Sequence, residues 1–202
     1  MAGTAADFPP WQTVYDYHAR WVADGTVNRV HNTLREQVRA TEGRQDQPSA
    51  AIIDSQSVRA AETVAATSRG YDAGKRVNGR KRHIAVDTTG LLLVIVVSAA
   101  SVQDRVAARS LIIALRACYQ RISLVWADSA YTGTLLDFAA LLGISVQIVA
   151  KLADQVGFQV LPRRWVVERT LSWISRCRRT VRDYERLPAH HAAMANGQWS
   201  SS

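Results

Sequence analysis

The stretch "GLLLVIVVSAA", residues 90 to 100, constrains the fold more than any other part of the chain. Its run of leucine, valine and isoleucine favours a strand, and because alternate side chains of a strand point to opposite faces, both faces of this one are apolar. A strand of that kind needs cover on both sides, as in a sheet sandwiched between helices. It is also shorter than the roughly 20 residues required to cross a membrane as a helix.

The rest of the chain supplies the neighbours and the cover. "AIID" at 51–54 is a short apolar strand ending on Asp54, and "RKRHIAVDTTG" at 80–90 is β-like and ends in a turn. "VQDRVAARSLIIALRACY" at 102–119 has helical periodicity with Asp104 placed to cap it, and "ISLVWADSAY" at 122–131 is a strand that runs into Asp128. A helix stopped by Gly143, a strand at 144–151 and a basic helix from about Arg164 to Arg179 follow. Three neighbouring strands and then alternating helix and strand predict an α/β fold with a mixed sheet.

Residues 11–40 read as two helices separated by Gly25. Val14, Tyr17, Trp21 and Val22 share one side of the first, and Val27, Val30, Leu34 and Val38 share one side of the second. "TEGRQDQPSA" is a linker by composition. The expected organisation is a helical segment over 1–45, the α/β domain over 46–186 and an irregular tail over 187–202, with His190 and His191 as tail residues.

The formal charge of +8 attracts polyanions. The basic residues are clustered: Lys75, Arg76, Arg80, Lys81 and Arg82 in one stretch, and Arg163, Arg164, Arg169, Arg176, Arg178, Arg179, Arg182 and Arg186 in another. A single cluster is ordinarily a solvated face, but two of them flanking candidate acids favour phosphate contact. Cys118 and Cys177 lie in helical stretches without a CxxC or Cys/His array, which fits a reducing compartment. With no signal-peptide pattern and no membrane span, the chain reads as soluble and cytoplasmic.

Asp54 and Asp128 are alike, each ending an apolar strand and each followed by serine. Taken singly, either is a turn or cap residue. Ligand sites in α/β sheets lie beyond strand ends, so two neighbouring strands would bring both carboxylates to one cation. Glu168 is the third acid. It shares a helix face with Arg164, Ser172 and Ser175, and is either an ordinary i, i+4 partner of Arg164 or the completion of a metal site. Oxygen donors without histidine or cysteine suit Mg²⁺ or Mn²⁺. Three carboxylates, two divalent ions and nearby arginines are what phosphodiester chemistry requires.

These stretches resemble the DDE transposases of bacterial insertion sequences, specifically the IS-five branch. The resemblance is carried by "FPPWQTVYDYHARW", "IIDSQSV", "GYDAGKRVNGRKRHIAVDTTGLLL", "VQDR", "WADSAY" and "GFQVLPRRWVVERTLSWISRCRRTVRDYE", which cover most of residues 8–186. It implies an RNase H-like sheet flanked by helices, and Asp54, Asp128 and Glu168 as the catalytic, metal-binding triad with two Mg²⁺ or Mn²⁺ ions. It further implies DNA cleavage at element ends and strand transfer into target DNA, and a homo-oligomer assembled on double-stranded DNA in the bacterial nucleoid. Arg164 matches the arginine of the family signature, Leu161 stands in place of its tyrosine, and Ser175 holds the usual basic position with Arg176 one residue later.

The expected DNA contacts are Lys75, Arg80, Lys81, Arg82, Arg163, Arg164, Trp165, Arg176 and Arg179. Trp165 is a core aromatic or a stacking platform for an unpaired base. Asp87 and Asp104 are expected as turn and cap residues. The resemblance implies that the helical segment over 1–45 is part of a region that recognises the element's ends; because the resemblance begins at Phe8, and the sequence after Tyr184 lacks an apolar helix, a truncated copy is expected. The alternatives are an inactive DNA-binding remnant and a nuclease that cuts without joining.

Overall fold

The computed structural model describes residues 9–149 and 163–199. In chain order the elements are α1 (Trp11–Ala23), α2 (Thr26–Thr41), β1 (Ala50–Arg59), β2 (Gly70–Asp72), β3 (Val77–Val86), β4 (Leu92–Ala99), α3 (Asp104–Cys118), β5 (Leu124–Ala127), α4 (Thr134–Leu141), β6 (Ser145–Ile148), α5 (Arg164–Arg176) and α6 (Pro188–Trp199). None of the described helices is long and apolar enough to cross a membrane.

The long strands lie in the order β4, β3, β1, β5, β6, with β2 pairing the start of β3. β1, β3 and β4 form an antiparallel meander, while β5 and β6 run parallel to β1 and are reached through α3 and α4. This is the mixed sheet expected from the sequence. Parallel strands need a crossover of a dozen or more residues, which α3 and α4 provide.

Strand alternation sorts the core into two layers. Ile53, Ala85 and Leu93 face α3, where Leu111, Ile112 and Leu115 join Tyr131 and Leu135. Ile52, Ile84, Val86, Leu92 and Trp126 face α5, with its Val166, Val167 and Leu171. Leu92 and Leu93, adjacent in sequence, thus belong to different layers, as the doubly apolar run requires. Gly79 lets β3 lie close to β1, since a Cβ there would stand 2.0 Å from the Val58 carbonyl oxygen. Gly90, at φ 96°, turns β3 into β4, and Thr170 of α5 donates to its carbonyl at 2.8 Å.

Three sequence expectations change. Asp104 does not cap α3: Gln103 holds that position, and Asp104 is the first helical residue. β1 does not stop at Asp54 but continues to Arg59 against β3. The tail is not irregular through its length, because Pro188–Trp199 forms α6, which packs on β4, α2, α1 and α5. Its contacts are made by alanine and histidine, among them Ala193, Ala195, His190 and His191, so the large apolar side chains that reveal a helix in sequence are absent. His191 Nδ1 lies 3.1 Å from Asp183, and the Tyr15 hydroxyl is 3.2 Å from His190 Nδ1, which joins α1 to α6.

Candidate active site

Sheet register brings the two aspartates together. β1 and β5 run parallel with Ile52 opposite Trp126, so Asp54 and Asp128 each follow two residues beyond that pair. Asp54 shares the Ile52 face of β1, the face that α5 covers, and Glu168 lies on α5 one turn after Arg164. The three acids converge on one guanidinium. Arg164 Nη2 stands 3.5 Å from Asp128 Oδ2, 3.5 Å from Glu168 Oε1 and 3.9 Å from Asp54 Oδ2.

The three carboxylates differ in environment. The Asp54 side chain is 17% exposed, and Glu168 is 47% exposed. Burial pushes Asp54 up to about 6, against the opposing pull of the Ser55 N–H and Arg164 and with the help of the Asp128 charge. The Ser55 N–H donates to Asp54 Oδ1 at 2.7 Å. Asp128 also serves as a turn cap, its Oδ1 accepting from the Ala130 N–H at 2.9 Å. The capping role and a place in the acid cluster coexist in this residue, because each uses a different carboxylate oxygen.

On the opposite face of β1 a polar chain lies behind the acids. Ser55 Oγ donates to Asp104 at 2.9 Å, and Lys81 Nζ bridges Asp104 at 3.0 Å and Asp72 at 3.4 Å. Ser57 donates to Asp72 at 2.6 Å and, with the Lys75 N–H and Lys81, holds that carboxyl down at about 2. A cleft of about 590 Å³ opens here between Tyr71, Lys81, Ser101, Arg105 and Ser129. Sequence reasoning gave Asp104 only a capping role, and its place in "VQDR", a stretch matching the family, was the available signal.

The basic residues expected to touch DNA divide into two groups. Arg80, Lys81 and Arg82 are buried, at 0%, 5% and 1% exposure, and offer no surface for a phosphate in this conformation. β3 has a strand on each side and both faces covered, so its charged side chains find their partners inside the protein. Arg80 pairs with Asp183 at 3.0 Å and donates to the carbonyls of Ser68, Glu185 and Arg186. Arg82 donates to the Thr180 carbonyl and to Gln56, and burial pulls it down to about 10, still cationic at neutral pH.

Lys75, Arg163, Arg176 and Arg179 are exposed, and Arg164 is partly so. Lys75 Nζ donates to the Ser55 carbonyl at 3.3 Å, Arg163 lies over the Trp126 ring at 4.3 Å, and Arg179 pairs with Glu185 at 2.7 Å. Trp165 is 41% exposed and is stacked by Arg169 at 4.7 Å, so it is not a core aromatic. Asp87 is the turn residue expected, accepting from Thr89 and Leu91, and it also pairs with Arg39 of α2.

Among the described residues no three carboxylate, histidine or cysteine groups stand close enough to hold a metal ion as they are. The cation at the centre of the acids is the Arg164 guanidinium. The donor set nevertheless suits a hard divalent ion, since all three side chains offer oxygen and already surround a positive charge.

A family model described as "Transposase DDE domain" matches residues 45–198, from the start of the sheet into α6. No curated protein matches the chain. Among solved structures, the catalytic core domain of BIV integrase aligns with 72% of this chain and 80% of its own, at 14% identity and a TM-score of 0.37. Matched by the family model over well more than half of its length, the chain belongs to the transposase DDE domain family, a family of DDE-type transposase enzymes.

Proposed function

We propose that the chain is an insertion-sequence transposase of the IS-five branch, which cleaves DNA at the ends of its element and joins the 3′-hydroxyl to target DNA. The reading is supported most directly by the convergence of Asp54, Asp128 and Glu168 on one cationic point. These three side chains would hold Mg²⁺ or Mn²⁺, most simply two ions. Bound there, such ions supply Lewis-acid activation of the attacking water or hydroxyl and stabilise the leaving oxygen.

The chain's own residues have separate tasks in this scheme. Asp54 and Asp128 are held by the N–H groups of Ser55 and Ala130, which fixes the carboxylate planes before substrate arrives. Arg164 turns from the acids to a phosphate oxygen when the site is loaded, since a guanidinium suits either anion. Arg163, Arg176, Arg179 and Lys75 provide exposed positive charge for the DNA backbone, and Trp165 offers an exposed ring to an unpaired base. The test is a cleavage and strand-transfer assay on a duplex carrying the flanking inverted repeat, comparing the chain with Glu168→Gln. Joined product that depends on Glu168 supports the reading. Cleavage without joining points to a nuclease, and salt-sensitive binding without reaction to an inactive DNA binder.

A further inference from the structure

α2 turns a polar side inward. An ordinary amphipathic helix presents its apolar stripe to the core and its charges to water, yet the buried side chains of α2 are His31, Arg35 and Arg39. Arg39 pairs with the buried Asp87. His31, 4% exposed, and Arg35, 3% exposed, are less complete: His31 Nε2 and the Nε and Nη1 atoms of Arg35 are buried without a hydrogen-bond partner among the described residues. Arg35 Nη2 meets Glu36 at 3.2 Å, and the guanidinium lies 4.6 Å from the centre of the Tyr119 ring. Buried polar groups are nearly always paired, so an imidazole and a guanidinium one turn apart, both with unused donors, call for a partner.

A cavity of about 450 Å³ lies between α2, β4 and α6, with His31 and Tyr119 in its wall. Its floor is residues 93–97 of β4, an edge strand whose one strand neighbour is β3. Ala189, Ala192 and Ala193 of α6 roof it, and such small side chains leave the space above the strand unfilled. Two of its polar groups are already engaged: the Tyr119 hydroxyl donates to the Leu93 carbonyl at 3.2 Å, and Asn196 donates to Asn28 at 3.0 Å. Burial, and after it the Arg35 charge, holds His31 at about 4, so its ring is neutral at pH 7 and can donate one N–H. Among the described residues no carboxylate lines the cavity. An apolar space with a few polar groups, within the range of about 300–1,000 Å³, is what small-molecule sites offer. The unused groups beside it are donors and one is cationic, which selects an anionic acceptor.

We propose that this cavity binds a small amphipathic carboxylate, whose chain lies along β4 beneath α6 and whose head accepts hydrogen bonds from His31 and Arg35. The alanine roof and the strand floor take the chain, and the two donors on α2 take the charge. Asp54, Asp128 and Glu168 do not line the cavity, so the site is separate from the acids and independent of their chemistry.

Decanoate and decanol, which share a chain and differ in the head, are titrated calorimetrically into the full chain, His31→Leu and Ala192→Phe, with urea midpoints to show that each variant folds. The wild type is expected to bind decanoate at one site with a Kd of about 10–100 µM, and decanol about tenfold more weakly or worse. His31→Leu is expected to lose about tenfold in decanoate affinity and to bind decanol as the wild type does, because a hydrogen bond to a charged head is gone. Ala192→Phe fills the space under α6 and is expected to bind neither. Should it fail to fold, Ala189→Leu takes its place. Absence of saturable decanoate binding to the wild type, decanol binding as tight as decanoate, or decanoate affinity that is unchanged in a folded variant overturns the inference.

Discussion

Arg164 Nη2 stands 3.5 Å from Asp128 Oδ2, and the same nitrogen lies within 4 Å of Asp54 and Glu168. One side chain therefore supplies the positive charge that three acids would otherwise lack. A divalent ion entering the cluster must displace or neutralise this contact. Arg164→Gln is expected to bind Mn²⁺ about tenfold more tightly, measured by isothermal titration, while losing roughly 10²-fold in cleavage rate because a charged phosphate contact is gone. Equal metal affinity in the two proteins would dissociate Arg164 from the cation site.

Asp54 leads to a pH prediction with a definite sign. Its folded pKa is raised to about 6 from an ordinary value of 3.8, chiefly by burial. Between these values the folded state holds the proton more tightly than the unfolded state, so stability falls as pH rises from about 4 to about 6. Asp54→Asn removes the titration. Without divalent ions it is expected to gain up to about 3 kcal/mol over the wild type at pH 7, and to show no gain below pH 4. Urea denaturation at several pH values measures this, and a constant difference across the range would contradict it.

The ion pair between Arg80 and Asp183 is buried on both sides. Burial alone would raise the Asp183 carboxyl, yet His191, the Glu185 N–H and Arg80 together hold it below its usual range. Removing one partner leaves an uncompensated charge, which typically costs about 3 to 5 kcal/mol. Asp183→Asn is expected to lower stability by about that amount and to loosen α6, since Asp183 also meets His191. Hydrogen exchange in α6 would report the second effect, and normal protection there would show that α6 is held by other contacts.

Much of the architecture was legible because it is written in apolar periodicity. The three neighbouring strands and the alternation of helix and strand after them follow from runs such as "LLLVIVV" and "LVWA", whereas the pairing of β1 with β5 that sets Asp54 beside Asp128 does not. What was not legible depends on tertiary partners. Arg80 and Arg82 look like solvent-facing charge until the segment around Asp183 is seen to cover them. α6 is not legible because alanine and histidine do not show a core-facing stripe. The stripe on α2 was visible, but its direction was not, since only the burial of Arg35 and Arg39 shows that the apolar side faces outward.

Asp104 touches the acid site through Ser55, whose N–H holds Asp54. Asp104→Asn keeps the size of the side chain but removes the charge that Lys81 meets. The variant is expected to lose about 10- to 100-fold in cleavage turnover, as is usual for a partner that orients a ligating group, with DNA affinity unchanged. A loss of DNA affinity at full turnover would instead assign Asp104 to the substrate surface.

The most direct test of the central claim is strand transfer in Mg²⁺ or Mn²⁺ on a labelled duplex carrying the flanking inverted repeat, with wild type, Asp54→Asn, Asp128→Asn and Glu168→Gln side by side. The account predicts metal-dependent cleavage and joining by the wild type and a loss of at least 10²-fold in each folded variant. Joining that persists in any one of the three would contradict the assignment of Asp54, Asp128 and Glu168 as a single catalytic cluster.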